Sequence, residues 1–300
     1  MNIRLRTLGT ALAAAVMVST LPQSGSAAEV GPAGGKSVWL DRAVSPVVNP
    51  LYFEDPHVNT EVRPIFAYHN IADDFLAGPG FVRYYALQLR WAVNDRLAII
   101  ATKDGYLQTH FSDAPSLSDE GWANLGFGAK YALIKDEENQ FILTPGVKLE
   151  VPTGNEDVFQ GTGDGEWDIF ASAAKSWDKF RLLGNVGFRI PNNFDTQTAQ
   201  AHYSLQAEYF TCRWFVPFVA LNGFTVLSEG ENPLPLETEG FDVINFGAPN
   251  ADGFTQVVFG AGFRSRVWKH IDVGFGYETS LTSPEGIFDD RYTVDMVIHF

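Results

Sequence analysis

The sequence has few cysteines, few histidines and no long apolar run, and each of these features excludes a class of structure or site. Cys212 is the only cysteine, so no disulfide can form within the chain, and it lies too far from the N-terminus to carry a lipoprotein anchor. The six histidines and this cysteine show no metal-ligand spacing, so neither a metal nor a cofactor is predicted. After the N-terminus no run approaches ~18 apolar residues, which excludes a transmembrane helix.

Basic residues are also few. The chain has 21 Lys and Arg against 36 Asp and Glu, a formal net charge of −15. Such an acidic chain has no electrostatic means of holding nucleic acid or anionic lipid, and no nucleic-acid partner is predicted.

The N-terminus has the pattern of a secretory signal peptide. Arg4 and Arg6 precede an apolar run that ends near Pro22, and Ala27-Ala28 offers small residues for cleavage. Removing residues 1–28 takes away two Arg and no acid, so the charge moves from −15 to −17. The protein is therefore expected to be exported.

The last ten residues form the most informative stretch. They alternate with period two between an apolar and a polar face, as a strand between two different media does. The final residue is aromatic and belongs to the strand itself, which resembles the C-terminal signal that the barrel assembly machinery reads in outer-membrane barrels. The apolar face also contains Val294. We predict that the assembly signal consists of Tyr292, Met296, Ile298 and Phe300 on this face.

The rest of the chain repeats this kind of segment. Twelve strand-like stretches are predicted, an even number, as single-chain bacterial barrels require. The stretches 96–110 and 213–227 are irregular, and a bulge or a phase error is expected in each. The predicted strands are 62–70, 82–93, 96–110, 122–134, 140–151, 165–176, 179–190, 200–211, 213–227, 254–267, 270–281 and 291–300.

The connections carry a second signal, since short and long ones alternate strictly. In an outer-membrane barrel the short turns are periplasmic and the long loops extracellular, whereas a soluble sandwich has no reason for this alternation. Tryptophans agree with two interfacial belts: four lie beside short turns and two follow long loops. They are Trp91, Trp177, Trp214 and Trp268 in the first group, and Trp122 and Trp167 in the second.

These signals together predict an all-β protein, a transmembrane antiparallel β-barrel of about twelve strands in the cell outer membrane. Residues 1–28 are the signal peptide and residues 62–300 the barrel. Residues 29–61 are irregular, and we interpret them as a periplasmic segment or a plug in the barrel mouth. Outer-membrane lipid and the barrel assembly machinery are the expected partners.

Residues 121–190 add a resemblance. The stretches Leu125-Gly-Phe-Gly-Ala-Lys-Tyr131, Pro145-Gly-Val-Lys-Leu-Glu-Val-Pro-Thr-Gly154 and Gly161-Thr-Gly-Asp-Gly165 resemble a family of outer-membrane barrels associated with transport in the phenol meta-degradation pathway. The resemblance covers about a quarter of the chain. It implies passage of small solutes, hydrophobic or aromatic ones included.

If the apolar faces point outward, charged side chains of both signs line the lumen. They are interpreted either as structural ion pairs that fill a narrow interior or as a selectivity lining for a solute. Lys148 with Glu150, and Arg264 and Arg266 with Asp272, are possible pairs. The predicted lumen residues are Arg90, Lys130, Lys148, Glu150, Arg181, Arg189, Glu208, Arg264, Arg266, Asp272, Glu278 and Asp295.

Glycines on the predicted inner faces leave a smooth trough on two adjacent strands. Either another segment packs there, such as the loop 228–253, or the strands bend sharply. Twelve strands lie between barrels that their side chains just fill and open aqueous channels, so a narrow pore is possible. The trough glycines are Gly260, Gly262, Gly274 and Gly276.

The sequence also contains partial signatures of a lipid hydrolase and of a calcium-binding loop. His202 and Ser204 lie two apart on one strand, which is similar to the His-x-Ser of outer-membrane phospholipase A, but they share the lumenal face and not the lipid face. The acidic loop around Asp157 and Asp164 lacks the spacing of a known calcium loop. The sequence therefore predicts a narrow pore for small solutes and no enzyme, with a lipid hydrolase or a non-conducting structural or adhesive barrel as alternatives.

Overall fold

The structure, a computed structural model, describes residues 45–73, 75–232, 239–283, 286–287 and 289–300. The predicted signal peptide and residues 29–44 lie outside this part of the chain. Regular structure in the described ranges consists of strands and two short 3-10 helices, Pro115–Leu117 and Glu156–Val158. The strands are β1 Glu61–Ile71, β2 Gly80–Ala92, β3 Leu97–Lys103, β4 Tyr106–Phe111, β5 Glu120–Trp122, β6 Leu125–Tyr131, β7 Ile134–Asp136, β8 Phe141–Val151, β9 Glu166–Trp177, β10 Phe180–Pro191, β11 Ala199–Tyr209, β12 Val216–Ser228, β13 Thr255–Trp268, β14 Ile271–Ser280 and β15 Asp290–His299.

The strands close into one antiparallel barrel. Strand β1 pairs with β2 on one side and with β15 on the other, with Tyr68 opposite Tyr292. Strands β3 and β4 lie end to end along β2 as one wall strand, and β5, β6 and β7 follow one another as the next. The wall therefore has twelve strands, and the predicted fold class is confirmed.

The irregularity predicted within 96–110 is a break between β3 and β4. Gly105 has a φ of 101°, a conformation that glycine adopts without strain. The side-chain oxygen of Asp104 accepts a hydrogen bond from the Leu87 amide at 2.8 Å, replacing a lost ladder bond. The two strand pieces consequently pair with separate parts of β2.

The irregularity expected in 213–227 lies at the end of that stretch, where Leu227 is an extra residue between the pairs Ala199–Ser228 and Gln200–Val226 of β11 and β12. Strand β12 begins later, at Val216, and pairs with β13 without a shift from Val216 to Thr225. Pairing with β11 starts only at Phe218, so Pro217 lies at the edge of that ladder, where a missing N–H is tolerated. Residues before it form a tight turn bridged between Cys212 and Phe215.

The two faces of the wall are the reverse of a soluble protein's. Large apolar side chains point outward and are exposed, whereas charged side chains point inward and are buried. Strand β10 shows this clearly, since Phe188 is 48% exposed and its neighbour Arg189 is fully buried. An apolar exterior around a polar interior is the pattern of a barrel that faces lipid.

The two ends of the barrel differ. One end, the turn end, has short connections such as Asp178–Lys179 and Lys269–His270. The other, the loop end, has the long ones, of which 229–254 is the longest. No helix in the described ranges has the length and hydropathy needed to cross a membrane. The tryptophans lie as predicted, exposed at the turn end (Trp91, Trp177, Trp214, Trp268) and at the loop end (Trp122, Trp167).

Candidate functional site

Two irregular segments lie inside the barrel, and we name them by position. The N-terminal insert comprises residues 45–60, which precede β1. The loop insert comprises residues 239–251, within the connection from β12 to β13. In both, apolar side chains are almost completely buried, for example Phe53 and Ile244. The lumen is therefore filled mainly by inserted chain.

The N-terminal insert turns back on itself inside the lumen. Its turn lies at Asn49, which has a φ of 47° and whose carbonyl accepts the Phe53 amide at 2.9 Å. The Ser45 hydroxyl donates to the Asp55 carboxylate at 2.9 Å, which joins the incoming and outgoing arms. The two arms of the insert, which begin at Ser45 and run on to β1, therefore lie side by side.

One side of this insert packs into the glycine trough. A Cβ at Gly276 would lie 2.9 Å from a Val48 methyl, and one at Gly260 would lie 3.1 Å from the same residue. A Cβ at Gly274 would lie 2.7 Å from Val47. What packs in the trough is thus the N-terminal insert, and the expectation that loop 228–253 would do so is not met.

Ion pairs on the neighbouring strands flank this packing. Arg264 donates to the Ser45 carbonyl at 3.0 Å, and Arg63 donates to the Pro46 carbonyl at 2.6 Å. Both arginines also bind Asp295, which Arg264 contacts at 2.8 Å. Two wall cations that share one carboxylate thus use their remaining donors on the backbone of the insert.

Glu54 anchors the outgoing arm of the N-terminal insert, the part that follows the turn at Asn49. Its carboxylate accepts two bonds from Arg90, at 2.8 and 2.7 Å, and one from Lys130 at 2.7 Å. Burial would raise the pKa of Glu54, but the charges of Arg90 and Lys130 outweigh it and lower the pKa to about 2. Glu54 is therefore ionised at neutral pH and ties the insert to two wall strands.

Wall side chains also satisfy the insert's backbone. Gln88 donates to the Pro50 carbonyl at 2.7 Å, Lys148 to that of Leu51 at 3.0 Å, and Thr144 to that of Pro56 at 2.6 Å. Irregular backbone inside a membrane protein requires such partners, because buried carbonyls without donors are costly.

Tyr52 and Arg189 connect the two inserts. Tyr52 donates to Glu166 at 3.3 Å, and its ring lies 4.7 Å from the Arg189 guanidinium. Arg189 also binds the Phe241 carbonyl of the loop insert and pairs with Glu166 at 2.7 Å. One wall cation thus contacts both inserts.

The loop insert is anchored at two carboxylates. Asp242 pairs with Arg291 of β15. Burial opposes ionisation of Asp242, but the charge of Arg291 prevails and lowers the pKa of this carboxyl. Glu239 accepts the Thr198 hydroxyl at 2.8 Å, and burial raises the pKa of its carboxyl. The loop insert therefore covers the lumen toward the loop end.

A small cavity remains between the N-terminal insert and the wall. Its volume of about 20 Å³ suits roughly one water molecule. Tyr52, Lys148, Glu150, Glu166 and Asp168 are among its lining residues. In this arrangement it is too small for an organic solute.

The predicted lumen residues are on inward-facing positions, and all but Arg266 are buried. The pairs differ in part from those considered from sequence. Lys148 pairs with Asp168 and not with Glu150, since cross-strand neighbours are nearer than positions i and i+2. The observed partners are Arg90 and Lys130 with Glu54, Lys148 with Asp168, Glu150 with Lys103, Arg181 with Glu208, Arg189 with Glu166, Arg264 with Asp295, Arg266 with Asp272, and Glu278 with Arg291.

Sequence reasoning missed several lumen charges. Arg63 and Arg291 lie on polar faces of strands that were recognised, so the alternation alone could have identified them. Glu166 and Asp168 alternate with the outward Trp167 and could have been found in the same way. Glu54 carries no such signal, because it lies outside any strand.

His202 and Ser204 do not form a nucleophile and base pair. His202 contacts Asp168 at 2.9 Å, and the Ser204 hydroxyl accepts a bond from the Asn49 amide at 3.1 Å. Both side chains are buried inside the barrel and far from the lipid face. Nucleophilic catalysis requires the base to reach the hydroxyl, and here each group has another partner.

The outward face of β15 carries the predicted assembly signal. Phe300 is 78% exposed, and its amide donates to the Thr60 carbonyl at 3.0 Å. Tyr292 is also exposed, while Met296 and Ile298 are half-buried. The C-terminus thus belongs to the closing ladder, and recognition by an assembly machinery stays a prediction.

Comparison with known proteins identifies the fold. No family model matches the sequence, and no curated protein matches it. An outer membrane channel of Pseudomonas putida F1 is similar in structure, with a TM-score of 0.59 and 14% identity over 86% of this chain and 100% of that one. The NanC porin has a TM-score of 0.51 and 7% identity over 80% of this chain and 100% of that one. At these identities the likeness concerns the fold, which is that of outer-membrane channel and porin barrels.

Proposed function

We propose that this protein is an outer-membrane channel for small solutes, closed in the present conformation by its two inserts. The solutes include hydrophobic or aromatic ones, as the resemblance of residues 121–190 to the phenol-pathway barrels implies. Outer-membrane lipid surrounds the barrel, and the solute is a small molecule and not a nucleic acid.

One observation carries the proposal: the lumen is closed by inserted segments and not by the wall itself. Small barrels are filled by their own side chains, and a wall of twelve strands encloses more space. Here the trough glycines contribute no side chain, and Val47 and Val48 pack at Gly260, Gly274 and Gly276. If the insert withdraws, the glycines leave an open path along the wall.

The contacts of the inserts favour closure that can be reversed. Beside apolar packing, in which Ile244 takes part, they include hydrogen bonds and ion pairs, such as Glu54 with Arg90 and Asp242 with Arg291. After withdrawal these wall charges can be hydrated by water entering the lumen, whereas an exposed apolar core could not. Charged groups of both signs would then line a hydrated pore.

A non-conducting structural barrel is the second candidate, and the filled lumen favours it. A lipid hydrolase is not favoured, because His202 and Ser204 are inward and separately bonded. The two remaining candidates differ in whether the inserts can leave, which conductance measures.

Planar-bilayer recording of the purified full-length protein tests the proposal. We expect rare discrete openings for the wild type and more frequent ones for Asp242→Asn, which weakens the contact of the loop insert with Arg291. The matched control is Asp252→Asn in the same connection, where the side chain is exposed. Absence of openings in the wild type and in variants of both inserts would favour the structural barrel.

A further inference from the structure

A row of small neutral polar side chains crosses the wall beside the trough, on the strands that precede β13. Ser172, Asn185, Ser204 and Asn222 are direct cross-strand neighbours on β9, β10, β11 and β12. All four point inward and are buried. Gln206 lies next to this row on β11, two residues from Ser204 and on the same face.

Four amide oxygens around Ser204 have no donor among the described residues. They are the side-chain oxygens of Asn49, Asn185, Gln206 and Asn222, and each residue is at least 95% buried. The Asn49 amide reaches the row because its nitrogen donates to Ser204 at 3.1 Å. Buried acceptors without a donor are rare in folded proteins and require a donor from ordered water or from a ligand.

The orientation of two of these amides is fixed by carboxylates. The Asn222 nitrogen donates to Glu278 at 3.1 Å, and the Gln206 nitrogen donates to Glu208 at 3.1 Å. A carboxylate only accepts, so rotating either amide by 180° would bring two oxygens together. The free atoms of Asn222 and Gln206 are therefore acceptors, and their partner must be a donor.

The surroundings are electrically neutral. Glu278 is paired with Arg291 at 2.6 Å and Glu208 with Arg181 at 2.7 Å, so neither carboxylate is left to attract a cation. Asn185 and Asn222 flank Ser204 at two interstrand spacings, or about 10 Å. This span matches a small molecule with several hydroxyl groups, which can donate to the oxygens of Asn185, Gln206 and Asn222 in place of two or more waters.

We propose that the amide cluster of Asn185, Ser204, Gln206 and Asn222 is a binding site for neutral, hydroxyl-bearing solutes on the channel path. It rests on the proposed function, because the solute reaches the site through the lumen. The Asn49 side chain occupies part of the site in the closed conformation, where its N–H donor takes the place of a solute hydroxyl on Ser204.

The test uses NMR saturation transfer from the full-length protein in lipid nanodiscs to two neutral probes. Erythritol carries four hydroxyl donors, whereas trimethylamine N-oxide can only accept hydrogen bonds. Measurements are made on the wild type and on Gly276→Leu, whose side chain collides with Val48 and displaces the N-terminal insert. We expect transfer to erythritol but not to trimethylamine N-oxide, with the stronger signal in Gly276→Leu.

Matched variants in both backgrounds identify the site. Gln206→Met removes a free acceptor, and we expect the affinity for erythritol to fall about fivefold, the usual effect of one hydrogen bond. Gln200→Met is the control on the same strand face, since the Gln200 oxygen is already bound by Arg189 at 3.0 Å. Heat-modifiable gel mobility verifies that each variant is folded.

Two results would overturn the proposal: no transfer to erythritol in either background, or equal losses for Gln206→Met and Gln200→Met. Bilayer recordings on the same preparations separate this result from failure of the channel. Conductance without erythritol binding would contradict the binding site and support the channel. Selective erythritol binding without conductance would support the binding site and contradict the channel.

Discussion

The lumen has two contrasting walls. On the wall of β13 and β14, Gly274 and Gly276 carry no side chain, and Val47 and Val48 of the N-terminal insert pack directly on the backbone. On the wall of β10 to β12, Asn185 and Asn222 project inward and retain acceptors without donors. The inner face of β13 and β14 is therefore covered by a segment of the protein itself. The inner face of β10 to β12 keeps hydrogen-bond acceptors that no described donor satisfies.

The difference indicates which wall serves closure and which serves a solute. Apolar packing against glycine has a fixed shape and tolerates little change, because interiors are as dense as organic crystals. Amide groups can exchange one hydrogen-bonding partner for another at similar free energy. We therefore expect the wall of β13 and β14 to hold the insert and the wall of β10 to β12 to receive what passes.

The largest effect is expected from Gly276→Leu. A Cβ there already lies 2.9 Å from Val48 and 3.3 Å from Val47, so a leucine leaves no room for the insert. Openings should change from rare to dominant in bilayer recordings. Gly184→Leu is the control, since Gly184 faces outward and a Cβ there meets nothing nearer than 3.7 Å. Similar recordings for both variants would contradict the claim that packing on the trough closes the lumen.

Glu54→Gln should have the next largest effect. Glu54 binds Arg90 and Lys130 together, and without it the one carboxylate left to Arg90 within the described part of the chain is Glu61 at 3.3 Å. Losing a buried pair costs about 3–5 kcal/mol, so the ratio of open to closed barrels should rise by roughly two to four orders of magnitude. Unchanged gating in the same recordings would show that the outgoing arm does not hold the insert.

A pH dependence follows from the same carboxylate. The pKa of Glu54 falls from 4.5 when the insert is released to about 2 when it is bound. The stabilisation is therefore fully present above pH 4.5 and is lost as the pH falls toward 2. Open probability recorded between pH 7 and pH 3 should rise below about 4.5 in the wild type, whereas Glu54→Gln should vary much less over this range.

The smallest effect is expected on the wall of β10 to β12. Asn185→Leu removes one hydrogen bond, from the Asn185 nitrogen to Ser172 at 2.8 Å, and also an oxygen that had no partner. The free energy of unfolding should change by no more than about 1 kcal/mol, and gating should stay close to that of the wild type. Thermal unfolding and bilayer recording both check this. A large increase in openings would show that the wall of β10 to β12, and not only the trough, keeps the lumen closed.

The sequence predicts the wall well because each strand separates two media. Alternation at Phe188 and Arg189, and the closing strand ending at Phe300, follow from period-two patterning that any barrel of this kind needs. The order of strands and the closure between β1 and β15 then follow from short and long connections. These features depend on local sequence, so they can be inferred without a structure.

The interior could not be predicted to the same degree. Glu54 and Asp242 belong to irregular segments without periodicity, so no local pattern links them to Lys130 or Arg291. The trough was visible as inward glycines, but its occupant was not, since packing of Val48 against Gly276 joins positions 228 residues apart. Long-range pairing of this kind is fixed by the fold and not by neighbours in the chain.

One measurement tests the central claim, that the N-terminal insert closes the lumen by packing on the trough. The double variant Val48→Cys and Gly276→Cys is made with Cys212→Ser, so that only the new pair can form a disulfide. A Val48 methyl lies 2.9 Å from a Cβ at Gly276, close to the ~3 Å between a Cβ and the remote sulfur of a disulfide. Bilayer recording should show a closed barrel under oxidising conditions and discrete openings after reduction. Equal conductance before and after reduction, with the disulfide verified by mass spectrometry, would contradict the account.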